Sequence, residues 1–555
     1  MMETVFSGKW GKLKKGIIFF LMFIGVFFVS NRLDNDLWFL MNGGRYVLTQ
    51  GIPYIEPFTI HEGMHFVMQQ WLSGVVFWSV YHMFGPVGIV VLMSCIDACI
   101  IYVLFLLYMV VSNRNFLVST FLAAVVGIFC SMTFICSRPQ IFSALLLLVE
   151  VLFLEKYSRQ NKICFLYPLP ALSVFLINMH AALWPMILVL LLPFVLDAVP
   201  LKGKKLFFSE QEVISLLPLL ICMVLMVVAA FINPYGMEAM TYTSRSYGYE
   251  LINRIVREMQ PSVVTGLFGK IMFFYTIFLS ICYAKIKTPL RYVLTSLGTG
   301  YMAFSSVRNV FLFVLLGLFP LAYIFRNIRF EQVEKTSINY RKYWFRNVFI
   351  CLIIVVIGMG MYQKMDEIWE DILQMSFLGW TVIILLVGLF CAGMVYQVKD
   401  ILTESKIKFQ NQAVILSICL VAFQVILLID GRYNHPEFEP KSKPAIDYLL
   451  ERVPAEQIIL WTDYFDGNYA EFRGIKCYID ARAEVFLPEN NWQRDVFQEY
   501  VDVEEHNLYY KDVLQQYAFN YLLVEKSDFF YLYLMQDADY KLIYDEGDFR
   551  IFEKK

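Results

Sequence analysis

The sequence predicts an all-α polytopic membrane bundle of about 13 transmembrane helices, followed by a C-terminal soluble α/β domain. Apolar residues make up 58% of the 555-residue chain, and the mean hydropathy is +0.56. This is more apolar surface than a soluble core can bury. Many stretches approach the roughly 20 apolar residues that a spanning helix needs. These stretches stop near residue 431, where charged residues and tyrosines replace them.

The predicted spans alternate with clusters of basic residues. The span centres lie near residues 24, 98, 125, 147, 171, 190, 222, 275, 299, 317, 354, 387 and 420. Lys and Arg precede the first span and then fall in every second gap, at 114, 156–162, 202–205, 285–291, 326–346 and 399–408. By the positive-inside rule the N-terminus is cytoplasmic, and an odd number of spans places the C-terminus outside. We therefore expect a multi-pass protein of the plasma (inner) membrane.

The first apolar run is interpreted as a retained anchor, because no small-residue cleavage site follows it and the next residues are Val29-Ser30-Asn31-Arg32. Residues 1–430 are predicted to form the membrane domain, and residues 431–555 an acidic extracytoplasmic domain with 14 Lys or Arg against 25 Asp or Glu. In this second domain helices are predicted in "KPAIDYLLERVP" and "HNLYYKDVLQQY", and strands in "QIILW", "IKCYID", "YLLVEK" and "YKLIYDEGDFRIFEK". The chain has no basic, aromatic-interleaved patch of the kind that binds nucleic acid, so nucleic acid is excluded as a partner.

Polar side chains collect at the predicted outer ends of the spans. They are Asp34, Asp36, Arg138, Asn178, His180, the "INPYG" turn at 232–236, Glu258 and Arg308. Ionisable residues at membrane depth are costly and usually face a cavity or a partner. The sequence therefore predicts a site at this face.

Several of these stretches share a family pattern. The segment 31–71 contains Asp34, Asp36 and Trp38, then Gly44-Arg45, Gly51-Ile52-Pro53 and Glu56-Pro57-Phe58. In order there follow "WLS", "SRPQIFS", "NMH", "NPYG", "REMQP", "SSVRN" and the tail "IDARAEVF". The chain resembles the GT-C superfamily of polytopic membrane glycosyltransferases, in particular a bacterial branch distantly like protein O-mannosyltransferases, aminoarabinose transferases and oligosaccharyltransferases.

The resemblance implies an enzyme that transfers a sugar from a polyprenyl-phosphate carrier to a lipid, glycan or protein acceptor outside the cytoplasm. The segment 31–71 would be its catalytic first external loop. A carboxylate must take the proton of the acceptor hydroxyl, and Asp36, then Asp34, are the candidates. Guanidinium groups suit the donor phosphate, and the candidates are Arg308, Arg138 and Arg45.

The supporting residues predicted for this site are Glu56, Asn178, His180 and Glu258. In the C-terminal domain, Tyr469, Asp480 and Arg482 are predicted to contact the acceptor. Asp34 and Asp36, two positions apart, could also bind a divalent cation such as Mg or Mn through their carboxylate oxygens.

Each assignment has a structural alternative. Carboxylates beside a span are often solvated interface residues, and arginines at helix ends often reach toward headgroups. Glu258 has Arg254 and Arg257 as alternative partners, Asn178 and His180 would form a satisfied polar pair, and Asp480 and Arg482 an ion pair. The glycines with Pro53 are interpreted as turn residues that let the loop follow the membrane surface.

Two further acids, Asp97 and Glu150, lie within predicted spans, where a proton relay or an interhelical hydrogen bond would explain them.

The chain also departs from the family pattern. Leu40 stands where the branch has a histidine, and Gln69-Gln70 replace a His-Glu type pair. These changes put the acceptor's identity, or catalysis, in question. A transporter or flippase of lipid-linked saccharides and a non-catalytic cell-envelope assembly protein are the alternative functions, although the internal repeats of many secondary transporters are absent from the sequence.

Overall fold

The computed structural model describes residues 16–18, 21–22, 33–200, 208, 214–246, 249–262, 267–326 and 439–555. The predicted span centres near 24, 354, 387 and 420 lie outside these residues, as does the predicted domain boundary near 431. Every other predicted span centre falls within a helical segment.

The first part of the chain is helical. Its longer helices are α1 (Asp36–Gln50), α2 (Trp71–Val111), α3 (Phe116–Thr133), α4 (Gln140–Gln160), α5 (Leu169–Met179), α6 (Pro185–Ala198), α7 (Leu216–Ala230), α8 (Leu267–Lys285) and α9 (Leu290–Ser305). Shorter helical pieces are Ile163–Phe165, Ala181–Leu183, Met237–Met240, Tyr242–Ser246, Glu250–Ile255, Arg257–Met259, Val307–Asn309, Val310–Leu312, Phe313–Gly317 and Pro320–Ile324.

Three continuous stretches of the described chain are long and apolar enough to cross a membrane. They are Trp71–Val111, Ala181–Ala198 and Val307–Ile324. The helical membrane bundle is thus confirmed in kind, and the number of about thirteen spans stays a prediction.

Helix α1 lies within the segment that the sequence analysis treated as a loop. Gly44 is in the interior of α1 and not in a turn, so that interpretation of Gly44 was wrong. A Cβ on Gly44 would lie 2.0 Å from the carbonyl oxygen of Gly74 in α2. The two glycines therefore allow α1 and the start of α2 to approach at backbone contact. Gly51, at φ 90°, ends α1 as a turn residue should.

Helix α2 contains a break at Gly85, whose φ is 64°, directly before Pro86. The sequence placed the second span near residue 98, and the helix starts well before it, at Trp71. Helix α2 packs on α1, α3 and α4. Before the break Gly74 lies against Gly44 of α1, and after the break Asp97 bonds to Ser131 of α3. The break separates a section that supports the 34–70 segment from a section inside the bundle.

Buried polar groups join the helices of the bundle. Ser131 Oγ in α3 donates to Asp97 Oδ2 in α2 at 2.8 Å, which is the interhelical hydrogen bond considered for Asp97. At another position Arg291 of α9 pairs with Glu155 of α4 at 2.9 Å and with Asp197 of α6 at 2.7 Å. This three-helix ion network was not predicted from the sequence.

Residues 439–555 form the predicted α/β unit around a five-stranded sheet. The strands are β1 (Ile459–Trp461), β2 (Lys476–Cys477), β3 (Tyr521–Glu525), β4 (Tyr540–Glu546) and β5 (Phe549–Lys554), in the order β2-β1-β3-β5-β4. β2, β1 and β3 are parallel, and β5 pairs antiparallel with β3 and β4.

Helices surround this sheet. They are α10 (Lys443–Leu450), α11 (Gly467–Phe472), α12 (Val496–Glu504) and α13 (Tyr510–Gln516), with short pieces at Ala455–Gln457, Ala483–Phe486, Pro488–Asn491 and Phe529–Leu534. The predicted strands and the helices α10 and α13 are present, whereas α11 and α12 were not predicted.

Candidate active site

Arg138 brings three carboxylates from distant parts of the chain together. Its Nε lies 2.9 Å from Asp34 Oδ1 and 3.2 Å from Asp36 Oδ2. Its Nη1 lies 3.0 Å from Glu258 Oε1. Four residues that the sequence analysis selected for one face therefore meet at one point, which we call the Arg138 cluster.

Asp34 and Asp36 are placed by the start of α1. Asp34 Oδ1 accepts the backbone N–H of Asp36 at 3.0 Å, and the Asp34 carbonyl accepts the N–H of Leu37. Negative side chains are favoured at a helix N-terminus, where unpaired N–H groups carry partial positive charge. The Asp34 N–H donates to Ser137 Oγ at 2.8 Å, which ties this turn to the residue before Arg138.

Glu258 reaches the cluster on a short loop that rests on the segment containing Arg308. Ser306 Oγ donates to the Glu258 carbonyl at 2.9 Å, and the Val307 N–H donates to the Gln260 carbonyl at 3.0 Å. Arg254, one of the two expected partners of Glu258, instead pairs with Glu505 at 3.1 Å. The partner of Glu258 is Arg138.

The charges of the cluster act on Asp36. Burial, together with the neighbouring Asp34 and Glu258 carboxylates, raises the pKa of Asp36 to about 7, against the opposing effect of Arg138 and Arg308. A carboxyl group with a pKa near the working pH is suited to accept a proton in a reaction. The electrostatic effect of Arg308 on Asp36 also places this arginine near the cluster.

Arg138 stays charged there. Burial lowers the pKa of Arg138, but the carboxylates of Asp36, Asp34 and Glu258 raise it by more, so the net direction is upward. The cluster thus combines a fixed cation with a carboxyl group that is able to change its protonation state near neutral pH.

The residues present do not fit a cation held by Asp34 and Asp36 alone. The guanidinium of Arg138 lies between the two carboxylates, in the position that a bridging cation would take. Among the described residues no group of three or more His, Cys, Asp or Glu side chains is arranged to hold a metal ion.

Glu56 lies in a second buried cluster, centred on Arg482. Arg482 Nη2 donates to Glu56 Oε1 at 3.0 Å and to Glu471 Oε2 at 3.4 Å, and the guanidinium also pairs with Asp480. The structure therefore contains the ion pair between Asp480 and Arg482 that was the structural alternative. We call Glu56, Glu471, Asp480 and Arg482 the Arg482 cluster.

Tyr469, Asp480 and Arg482 are all buried. The Tyr469 ring packs edge-on against Trp38 of α1, with ring centroids 5.0 Å apart. Contact of these three residues with an acceptor stays a prediction. In this structure Tyr469 and Arg482 contact the 34–70 segment, and Asp480 pairs with Arg482.

Arg45 also holds the two parts together. Its Nη2 donates to the Phe472 carbonyl at 2.9 Å and to Asn42 Oδ1 at 2.7 Å, and the guanidinium lies over the rings of Phe472 and Trp78. These contacts support a structural role for Arg45, and its predicted role at the phosphate stays untested.

Asn178 and His180 are buried but do not form the polar pair with each other that we considered. Asn178 Oδ1 accepts from Trp71 Nε1 at 2.9 Å, and its Nδ2 donates to the carbonyls of Val174 and Ile232. His180 Nδ1 lies 3.0 Å from Ser143 Oγ. Asn178 thus joins the end of α5 to Trp71 of α2 and to Ile232, and His180 joins the break after α5 to α4.

Gln69 occupies a position where the chain departs from the family pattern. It donates to Glu484 Oε1 at 2.9 Å and accepts the Ala182 N–H at 3.2 Å, so it links the C-terminal domain to the break after α5.

An open groove runs beside Trp71 and Asn178. It has a volume of ≈ 510 Å³, and its wall is mostly apolar. The lining residues are Trp71, Leu72, Val174, Phe175, Asn178, Phe231, Ile232, Asn233 and Pro234.

Two contact residues were missed by the sequence analysis. Asn35, between the two aspartates, donates from Nδ2 to the Phe465 carbonyl at 2.5 Å. Asn468 Nδ2 donates to the Asn35 carbonyl at 3.2 Å. Their positions next to quoted motifs were the available signal, but a pairing between residues 433 apart has no signature in a single sequence.

Comparison with solved structures identifies the architecture. ArnT from Cupriavidus metallidurans bound to undecaprenyl phosphate superposes with a TM-score of 0.56 at 9% identity, covering 98% of this chain and 97% of that chain. The chain has the GT-C fold. The apo state of the same ArnT gives a TM-score of 0.56 at 10% identity, with the same coverage.

A second GT-C structure agrees. The Archaeoglobus fulgidus oligosaccharyltransferase tethered with an acceptor peptide gives a TM-score of 0.53 at 10% identity, covering 93% of this chain and 70% of that chain. No protein-family model matches the sequence, and no curated protein matches it. The GT-C resemblance predicted from the ordered motifs is confirmed as a likeness of fold.

Proposed function

We propose that this protein is an integral membrane glycosyltransferase of the cell envelope that transfers a sugar from a polyprenyl-phosphate carrier to a hydroxyl group of a lipid, glycan or protein acceptor. The Arg138 cluster carries the proposal, since it places a carboxyl group with a pKa near 7 beside arginines within the GT-C fold. The solved ArnT is bound to undecaprenyl phosphate and the solved oligosaccharyltransferase to an acceptor peptide, which supports these substrate classes.

Asp36 is proposed as the general base. Its carboxylate takes the proton of the acceptor hydroxyl as the acceptor oxygen bonds to the anomeric carbon of the sugar. The bond from that carbon to the phosphate oxygen breaks at the same time, and the polyprenyl phosphate leaves with the electron pair. A positioned base of this kind contributes about 10²–10⁴-fold to a rate.

Arg138 and Arg308 are proposed to stabilise the leaving phosphate. Negative charge grows on the phosphate as its bond to the sugar breaks, and preorganised cations lower the energy of that state. Arg138 would exchange part of its pairing with Asp34 and Asp36 for the phosphate, which also frees Asp36 to act as a base. Asp34 is proposed to orient Arg138 and the first turn of α1.

The groove beside Trp71 is proposed to hold the apolar tail of the carrier, because its wall is apolar and it opens at the surface of the helical bundle. With the N-terminus in the cytoplasm, residues 1–430 as the membrane domain and residues 431–555 as the outer domain, transfer would occur on the outer side of the plasma (inner) membrane.

Sugar transfer by the purified protein in lipid tests the proposal. A panel of polyprenyl-phosphate sugars and a lipid extract of the host serve as donors and acceptors. We expect transfer by the wild type and a loss of at least about a hundredfold in kcat for Asp36→Asn. Asp512→Asn, at an exposed aspartate of the C-terminal domain, is the matched control and should keep wild-type activity. Carrier binding without transfer to any acceptor would instead favour transport or assembly.

A further inference from the structure

The C-terminal domain contacts the 34–70 segment along one edge of its sheet. β2 is one of the two edge strands, and Thr59 pairs with Cys477 of β2 in a parallel bridge. The Ile60 N–H donates to the Cys477 carbonyl at 3.0 Å. His61 Nε2 lies 2.8 Å from the Tyr478 carbonyl. The segment thus covers the edge strand that would otherwise expose unpaired backbone groups.

The Arg482 cluster closes this interface with buried charge. The Arg482 side chain is only 6% exposed and pairs with Glu56 from the segment. The second oxygen of Glu56 accepts the Thr59 N–H at 2.9 Å and the Thr59 hydroxyl at 2.7 Å. The bond from Arg482 thus joins Glu56 to the C-terminal domain, while the bonds from Phe58 and Thr59 hold the Glu56 carboxylate within the segment. Because one guanidinium faces three carboxylates, its removal would leave buried negative charges together.

A chain of contacts leads from this cluster to the catalytic aspartates. Ala481 lies between Asp480 and Arg482, and its N–H donates to Asn468 Oδ1 at 3.0 Å. Asn468, which is fully buried, donates from Nδ2 to the Asn35 carbonyl. Asn35 lies between Asp34 and Asp36 and also donates to the Phe465 carbonyl.

We infer that Arg482 and Asn468 are positioning residues, which hold Asn35 through the docked C-terminal domain and so fix Asp34 and Asp36 in the geometry needed for transfer. The inference rests on the proposed function. It assigns the C-terminal domain a part in the catalytic step that is separate from acceptor contact, and it makes Glu56 an interface residue.

Asn468→Ala is the sharpest test because it removes the link and leaves the Arg482 cluster in place. Misplacement of a catalytic group by about 1 Å costs on the order of a hundredfold. We expect kcat to fall by roughly ten- to a hundredfold, while the KM values for donor and acceptor change by less than about twofold. A wild-type kcat in Asn468→Ala, or a loss that lies entirely in KM, would overturn the inference.

Asn520→Ala is the matched control. Asn520 also bonds two backbone groups of the same domain, the Ile459 N–H at 2.7 Å and the Gln457 carbonyl at 2.6 Å, but it has no contact with Asn35 among the described hydrogen bonds. We expect Asn520→Ala to lower thermal stability and to keep the wild-type kcat. Equal losses of kcat in both variants would reduce the role of Asn468 to stability alone.

Hydrogen exchange separates this inference from the proposed function. Amides 36–40 should exchange faster in Asn468→Ala and in Arg482→Gln than in the wild type. Their exchange rate in Arg482→Lys should lie between those of the wild type and Arg482→Gln. This readout needs no sugar transfer. Unchanged exchange at 36–40 in an otherwise folded Asn468→Ala would refute the positioning link even if the protein is a transferase. Absence of transfer by the wild type would refute the proposed function alone.

Discussion

The protonation of Asp36 should set the lower pH limit of activity. Because its pKa is about 7, only about a tenth of the carboxyl groups are ionised at pH 6, and about nine tenths at pH 8. If Asp36 is the base, kcat/KM should fall about tenfold for each pH unit below this value. The activity of the wild type should therefore rise up to about pH 8.

Two substitutions should move this limit in opposite directions. Arg138 lowers the pKa of Asp36 and Glu258 raises it. Loss of an opposite charge within hydrogen-bond distance changes a pKa by about 1–3 units. Asp36 is about a quarter exposed, with a side-chain exposure of 24%, so we expect the lower end of this range. Arg138→Gln should move the limit upward by at least about one unit, and Glu258→Gln should move it downward.

The measurement is kcat/KM of sugar transfer from pH 5 to 9, with folding of each variant checked by thermal melting. Arg254→Gln is the matched control, since Arg254 pairs with Glu505 in an exposed ion pair close along the chain to Glu258. Its profile should match that of the wild type. A limit that stays in place in both test variants, or moves in the same direction in both, would refute the assignment of Asp36.

Three further predictions concern stability. Gly44→Ala should destabilise the protein by about 1–3 kcal/mol, because the added Cβ would collide with the Gly74 backbone. Thermal melting measures this loss, and Gly298→Ala is the control because a Cβ there meets no neighbouring atom. Burial lowers the pKa of His61 to about 4. Below about pH 6.5 the unfolded chain therefore binds a proton at His61 that the native state does not bind. This lowers the free energy of unfolding by up to roughly 3 kcal/mol by pH 4. The melting temperature should fall over this range, and His61→Gln should flatten the fall. Neither carboxyl oxygen of the buried Glu150 has a hydrogen-bond partner among the described residues, so Glu150→Met should raise the melting temperature, and a lower value would contradict this reasoning.

Hydropathy and side-chain pattern are local properties, and what depends on them could be predicted from the sequence. Apolar stretches of the right length marked helices such as α4 and α9, and alternating or continuous apolar runs marked the strands of the C-terminal sheet. The order of the motifs predicted the fold, and the alternation of spans and basic loops predicted that Asp34, Arg138 and Glu258 share one face, where they meet in the structure. The hydropathy and strand signals each lie within a short window of the chain.

Local signals also misled where the tertiary structure gave a residue a different use. Gly44 suggested a turn, since glycine is common in turns, but in the structure its missing Cβ lets α1 touch Gly74 of α2. Glu258 had Arg254 and Arg257 nearby in sequence, yet it pairs with Arg138, 120 residues away. Residues that are close in sequence form an ion pair only when the fold also places their side chains close in space.

The sequence by itself determined the membrane class, the strands and most of the longer helices of the described chain, but not α1, α11 or α12. It also determined the residues that could perform acid–base and phosphate chemistry. The tertiary structure decided which of them act together. It separated Glu56 from Asp36 and joined Glu56 to Arg482, 426 residues along the chain. A buried charge takes whichever opposite charge the packing brings within about 3 Å, because an unpaired charge in a dry interface is far more costly than any local preference.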